Sequence, residues 1–150
     1  MAETVHERPL SRTGVVRHPI SAIILPIPII CFVGALATDL SYDGSGGNLL
    51  WVNFSSWLIA TGLFFGGILV VLMLIDMFRL PALRSSEGWA GFVLLVAAWI
   101  VELINSFVHA RDGWTAVVPL GLILSTVGAL QILIYGWLWH EARYVSGERP

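Results

Sequence analysis

Four polar residues interrupt an otherwise apolar stretch of the chain at Glu102, Asn105, Ser106 and His109. A spacing of i, i+3, i+4 and i+7 puts all of them on one face of a helix. A carboxylate, an amide, a hydroxyl and an imidazole on one stripe form a polar pocket that can hold a proton, an ion or a quinone head group. The stripe can equally face its neighbours and satisfy itself by hydrogen bonds. An ionisable group at membrane depth costs about 2.5–3.5 kcal/mol on insertion scales, so each one marks a candidate site. Glu102 lies 14 residues beyond Gly88, which at 1.5 Å per residue is about 21 Å across the segment. Thr61 and Gly121 are expected at similar depth, with Asn53, Ser55 and Ser56 nearer the surface.

Other chemistry-bearing residues fall at the ends of the apolar stretches. Asp39 closes the first of them, where it is expected to meet His109 or Arg111 and clamp two helices together. Asp76, Arg79, Arg17, His18, His140, Glu141 and Arg143 collect at the opposite edge, where salt bridges that fix helix ends account for them. His18 and His140 share a depth and are the candidate pair for bis-histidine haem ligation. They sit at the interface rather than in an apolar pocket, and no mid-membrane histidine backs them. The sequence offers no nucleophile–base pair, phosphate-binding glycine loop or metalloprotease helix, hence no catalytic or metal-ligating set. Cys31 is the single cysteine, which excludes an intramolecular disulfide and a cysteine metal cage. Asn53-Phe54-Ser55 matches a glycosylation pattern but abuts an apolar segment.

The elements that must position these residues follow from composition. Of 150 residues, 57% are hydrophobic and 12% charged, whereas a soluble domain carries about 25% charged residues. With a mean hydropathy of +0.82, the chain can be neither a soluble globule nor disordered. A net charge of −2 without a basic run argues against nucleic acid. Four apolar segments, at 19–38, 54–78, 89–110 and 115–139, are each long enough to cross about 30 Å of hydrocarbon. A tail over 1–16 precedes them, and the connections are short. The expected fold is an all-α membrane protein, a four-transmembrane-helix up-down bundle in a single domain over 1–150.

Arginine alone supplies the positive charge, since the chain has no lysine. Arg8, Arg12, Arg17, Arg79, Arg84, Arg143 and Arg149 fall on one side and only Arg111 on the other, which places both termini in the cytoplasm. Tyr42, Trp51, Trp57 and Trp114 would form the outer aromatic belt, and Trp89, Trp137, Trp139 and Tyr144 the inner one. Trp99 is left near mid-membrane. Arg17, the apolar run and Ala35-Leu36-Ala37 have the outline of a signal peptide, but Pro19, Pro26 and Pro28 interrupt it and the first helix is expected to stay.

Helices in lipid associate through small residues that let backbones approach. Gly62-x-x-x-Gly66 with Gly67 gives the second segment such a groove, and Gly121-x-x-x-Ser125 with Gly128 and Ala129 gives one to the fourth. Ala90-Gly91 and Ala97-Ala98 are smaller notches on the third. These grooves serve packing within the bundle or contact with a partner.

Arg17-His-Pro-Ile-Ser-Ala-Ile-Ile-Leu-Pro-Ile-Pro-Ile29, continuing through Gly34-Ala-Leu-Ala-Thr-Asp-Leu40, resembles the opening of a bacterial family of four-helix membrane proteins of unknown function, the domain of unknown function 2231 type. Asn53-Phe-Ser-Ser-Trp-Leu58, Leu74-Ile-Asp76, Ala110-Arg-Asp-Gly-Trp-Thr115 and Pro119-x-Gly121 are similar to later pieces of that family. Ser21 stands where the family usually has a second histidine, and Trp89-Ala-Gly-Phe-Val93 replaces a His-Asn start to the third helix. The end around His140–Val145 is altered as well. Of any cofactor-binding histidines only His18 is kept, which weakens a haem reading. The resemblance implies a multi-pass protein of the bacterial cytoplasmic (inner) membrane, associated with redox enzymes but without an established activity. The expected role is a non-enzymatic subunit or anchor that packs in the lipid bilayer against other membrane protein subunits, with a respiratory or redox complex as the partner the resemblance implies, and with no resident cofactor. The alternatives are a subunit that carries electrons through haem b or quinone, and a proton or ion pathway through Glu102.

Overall fold

The computed structural model describes residues 19–111 and 117–145, and these are helical almost throughout. The first crossing is made of α1 (Pro19–Ile24) and α2 (Pro26–Gly44), followed by α3 (Leu49–Arg79), α4 (Ser86–His109) and α5 (Leu122–Val145). Four of these helical stretches are long and apolar enough to cross a membrane, and no strand occurs among the described residues.

Local chemistry explains where the helices start and stop. Pro26 and Pro28 stand in the first turn of α2, where their missing N–H groups leave two helical bonds unmade and divide the crossing into α1 and α2. The Leu25 N–H reaches the Ser21 carbonyl at 3.0 Å and carries α1 on into α2. Asn48 caps α3 by accepting from the Leu50 N–H at 3.1 Å. The reversal before it uses Gly46 and Gly47 at φ of 71° and 93°, which side chains disfavour. At the far end of α3 the Arg84 guanidinium donates to the Met77 and Phe78 carbonyls at 2.9 and 3.1 Å, covering groups the helix leaves unpaired. Ser85 then caps α4 by accepting from the Gly88 N–H at 3.3 Å. Ahead of α5, Val117–Gly121 forms a π-type turn in which Val118 is extended (φ −114°, ψ 126°) and the Val118–Pro119 bond is cis.

Helix boundaries correct the expectation from sequence at several ends: α4 begins at Ser86 rather than 89, and α5 runs to Val145 rather than 139. The first crossing does not end at residue 38 but runs to Gly44, and α3 begins at Leu49 rather than 54. The expected link over 39–53 shrinks to 45–48. Asp39 is therefore not a helix end; it lies inside α2 with its side chain fully buried. The Ser41 hydroxyl donates to the Ala37 carbonyl at 2.8 Å and so finds a partner within α2.

The helices pack as a ring in which α2 lies against α3 and α5, and α4 against α3 and α5. Leu25, Phe32, Leu69, Met73, Leu95, Ile132 and Tyr135 form the apolar core. Trp57, Phe64, Phe78, Phe107 and Trp137 point outward, an apolar exterior suited to lipid rather than water. Trp99 turns toward α3 and donates its Nε1–H to the Leu63 carbonyl at 2.9 Å. Trp114 and the Tyr144 side chain lie outside the described residues.

The glycine grooves face inward. A Cβ at Gly62 would collide with the Phe32 ring and lie 3.1 Å from the Cys31 Cβ. A Cβ at Gly66 or Gly67 would lie 3.3 or 3.5 Å from the Trp99 ring, and one at Gly121 would lie 3.1 Å from the His109 ring. Packing within the bundle uses all four.

Candidate functional site

Each of the four crossings brings a polar side chain to one buried cluster. Asp39 comes from α2, Ser55 from α3, Glu102, Asn105 and His109 from α4, and Ser125 from α5. Five of these are completely shielded from solvent and His109 is 2% exposed. They lie toward the end of the bundle that carries the 45–48 turn. Glu102 is seven residues from the end of α4 at His109, about 10 Å in at the helical rise.

His109 is held on both ring nitrogens. Nδ1 lies 3.0 Å from the Asn105 carbonyl, which can only accept, so Nδ1 carries a hydrogen. Nε2 lies 3.0 Å from Asp39 Oδ1 and 3.2 Å from Ser55 Oγ. Two lone pairs would repel at 3.0 Å, so a hydrogen must sit between Nε2 and Oδ1. Imidazolium with carboxylate and imidazole with carboxylic acid hold the same number of protons, and the pair is neutral in either form. Asp39 Oδ2 accepts from the Ser125 hydroxyl. Ser55 Oγ also lies 3.5 Å from the Ala35 carbonyl.

Asn105 links this pair to Glu102. Its Nδ2 donates to Ser125 Oγ at 2.8 Å and to Glu102 Oε2 at 3.0 Å, using both hydrogens. The resulting chain runs from His109 through Asp39, Ser125 and Asn105 to Glu102. Glu102 Oε1 and Asn105 Oδ1 remain buried without a partner among the described residues. Both are acceptors, so the cluster lacks hydrogens, or a positive charge, rather than oxygen atoms. Oε1 packs directly on the α5 backbone, because a Cβ placed at Gly128 would overlap it. Glu102 forms no ion pair among the described residues; His109 with Asp39 does.

The structure therefore gathers Glu102, Asn105, His109 and Asp39, and adds Ser55 and Ser125. It does not bring Ser106 into the cluster: that hydroxyl is half-buried and bonds the Leu103 carbonyl of its own helix at 2.7 Å. Asn53 and Thr61 are exposed, and Ser56 returns to the Val52 carbonyl at 2.8 Å. Arg111 is exposed as well, and it is His109 that meets Asp39. Ser125 attracts notice in the sequence only as a small residue in a groove. Its position seven residues before the core residue Ile132 is the signal that it points inward.

At the opposite end Asp76 is buried beside a small cavity that Ser21, Leu69, Met73, Leu83, Tyr135 and Trp139 complete. The Tyr135 hydroxyl lies 3.2 Å from Met73 Sδ. His140 is exposed, and His18 lies outside the described residues, as do the side chains of Arg17, Glu141 and Arg143. Among the described residues no group of three or more His, Cys, Asp and Glu side chains is arranged to hold a metal ion.

The model of the family described as Predicted membrane protein (DUF2231) matches residues 17–148. The chain belongs to this family. No curated protein and no solved structure matches it. The match covers all four crossings and every residue of the polar cluster, so the cluster lies wholly inside the family domain.

Proposed function

We propose that this family member is a small non-enzymatic membrane protein whose bundle carries a binding centre for one positive charge, a proton or a small cation, at Glu102. The observation behind the reading is Glu102 Oε1, a fully buried carboxylate oxygen without a hydrogen-bond partner among the described residues. With the Asp39–His109 pair neutral, Glu102 is the uncompensated charge of the cluster, and an uncompensated charge in hydrocarbon is what membrane proteins avoid or use. The missing hydrogens also favour this reading over a quinone, whose carbonyls are acceptors too. A haem ligand would need a free imidazole nitrogen, and His109 has neither nitrogen to spare.

The short links between crossings suit a subunit that works beside a membrane-bound partner, of the redox or respiratory kind that the family resemblance implies, in a bacterial inner membrane. The grooves at Gly62, Gly66, Gly67 and Gly121 are filled from within, so such a partner would meet the outward apolar faces instead. Titration tests the centre itself. Purified protein in lipid vesicles is expected to bind one more positive charge per chain at neutral pH than Glu102→Gln, measured by dye-reported proton uptake together with equilibrium binding of radiolabelled sodium. Equal binding by the two proteins would remove the centre from Glu102.

A further inference from the structure

We infer that the occupant of this centre is a proton, held on Glu102 Oε1 and exchanged with only the membrane face nearest the 45–48 turn. The inference rests on the charge-binding reading above and specifies both its ligand and its direction. Three observations carry it.

The first is ligand number. Calcium and magnesium ions are bound through six or more oxygen atoms, whereas within the cluster Glu102 Oε1 and Asn105 Oδ1 are the oxygens without a partner among the described residues, the third such buried oxygen being Gln131 Oε1 outside the cluster. A proton needs one. The second is space. Glu102 Oε1 rests on the backbone of α5 at Gly128, so closely that even a methyl group there would overlap it. An O–H hydrogen fits where a coordinated metal ion does not. Binding is a proton transfer: an O–H bond of a hydronium ion breaks as one forms at Oε1, water is left behind, and the carboxylate becomes neutral.

The third observation sets the direction. Two helical turns deeper than Asp39, Ser55, Glu102 and Ser125, on the same face of each helix, stand Phe32, Gly62, Leu95 and Ile132. Phe32, Leu95 and Ile132 are each 1% exposed, and the Phe32 ring fills the space beside Gly62. Leu69 and Leu25 close the layer further down. This apolar block separates the cluster from the cavity at Asp76, Ser21 and Tyr135. This block closes the route from the Asp76 end, so the proposed exchange runs by the hydrogen-bonded side chains toward the 45–48 turn, and the chain alone conducts no protons across the bilayer. The groups facing Glu102 are His109 on its own helix and Asp39 on α2, while α3 and α5 contribute the hydroxyls of Ser55 and Ser125, which do not titrate.

Infrared spectroscopy of the full chain in lipid vesicles tests the ligand. A buried protonated carboxyl gives a carbonyl stretch separate from that of carboxylate. The stretch is expected in the wild type at neutral pH, moved by ¹³C-glutamate but not ¹³C-aspartate labelling, absent in Glu102→Gln, and unchanged by sodium, potassium, magnesium or calcium. Labelling assigns the signal to glutamate even if the variant fails to fold, and Glu87→Gln serves as an exposed control. Loss of the stretch on adding one of these ions would make that ion the occupant, overturning the proton while the charge-binding centre stands. Absence of the stretch, with equal charge binding by wild type and Glu102→Gln, would overturn both. For direction, vesicles with an internal pH dye and an imposed gradient are expected to leak no faster than empty ones. Faster leakage that Glu102→Gln abolishes would overturn the one-sided site.

Discussion

His109 and Asp39 are 70 positions apart in the chain and 3.0 Å apart in the bundle. Their contact is charge-assisted in one proton arrangement and an acid–imidazole hydrogen bond in the other, and in both it is buried. Interhelical hydrogen bonds in membranes average about 0.6 kcal/mol because the unfolded helices find other partners. A neutral pair that closes off a carboxylate should exceed that average. A double-mutant cycle of Asp39→Asn and His109→Gln, read from detergent unfolding, is expected to give a coupling energy of about 1–3 kcal/mol. Additive effects would mean that the two side chains do not share a proton. Serine at 125 should belong to the same coupled set, since it donates to Asp39 and accepts from Asn105. Ser106, engaged with its own helix, should tolerate alanine with a change below about 0.5 kcal/mol, as a residue outside such networks does.

At the scale of elements, the cluster depends on close helix approach. Gly128 lets α5 sit against Glu102, and Gly62 lets α3 sit against Phe32. Alanine at either position overpacks the bundle, at a cost of about 1–3 kcal/mol. The two penalties should respond to different second changes. Glu102→Ser is expected to relieve Gly128→Ala, and Phe32→Leu to relieve Gly62→Ala, with neither rescuing the other. Penalties that persist in every background would show that these glycines act on the backbone rather than on the named side chains. The stripe of Glu102, Asn105 and His109 was legible in the sequence because its helical period stands out against an apolar ground. The Asp39–His109 contact was legible too, from matching depth. The length of the first crossing was not. Asp39 reads as the end of the first segment, and it is its partners on other helices that make a buried acid tolerable inside α2. Ser55 and Ser125 were hidden for a related reason: a serine in an apolar helix usually bonds its own backbone, as Ser56 and Thr126 do here. Only the neighbouring helix reveals the exceptions.

For the whole molecule, four crossings would return the chain to the side on which it began, and the arginine distribution predicts that this side is the cytoplasm. Reporter fusions at both ends are expected to give the cytoplasmic signal, and one inserted in the 45–48 turn the opposite one. The polar cluster would then open away from the cytoplasm, since it lies near that turn. A cytoplasmic signal from the turn would reverse the direction of proton access without altering the site. The exterior is apolar along the crossings and the interior holds the ionisable groups, so the bundle reads as a container for one exchangeable charge rather than as a surface that does chemistry. That claim is tested most directly by the ¹³C resonance of the Glu102 side-chain carboxyl, assigned by its loss in Glu102→Gln, in lipid at neutral pH. A chemical shift typical of the protonated acid is the expected result. A shift typical of free carboxylate, unmoved by added cations, would contradict the account.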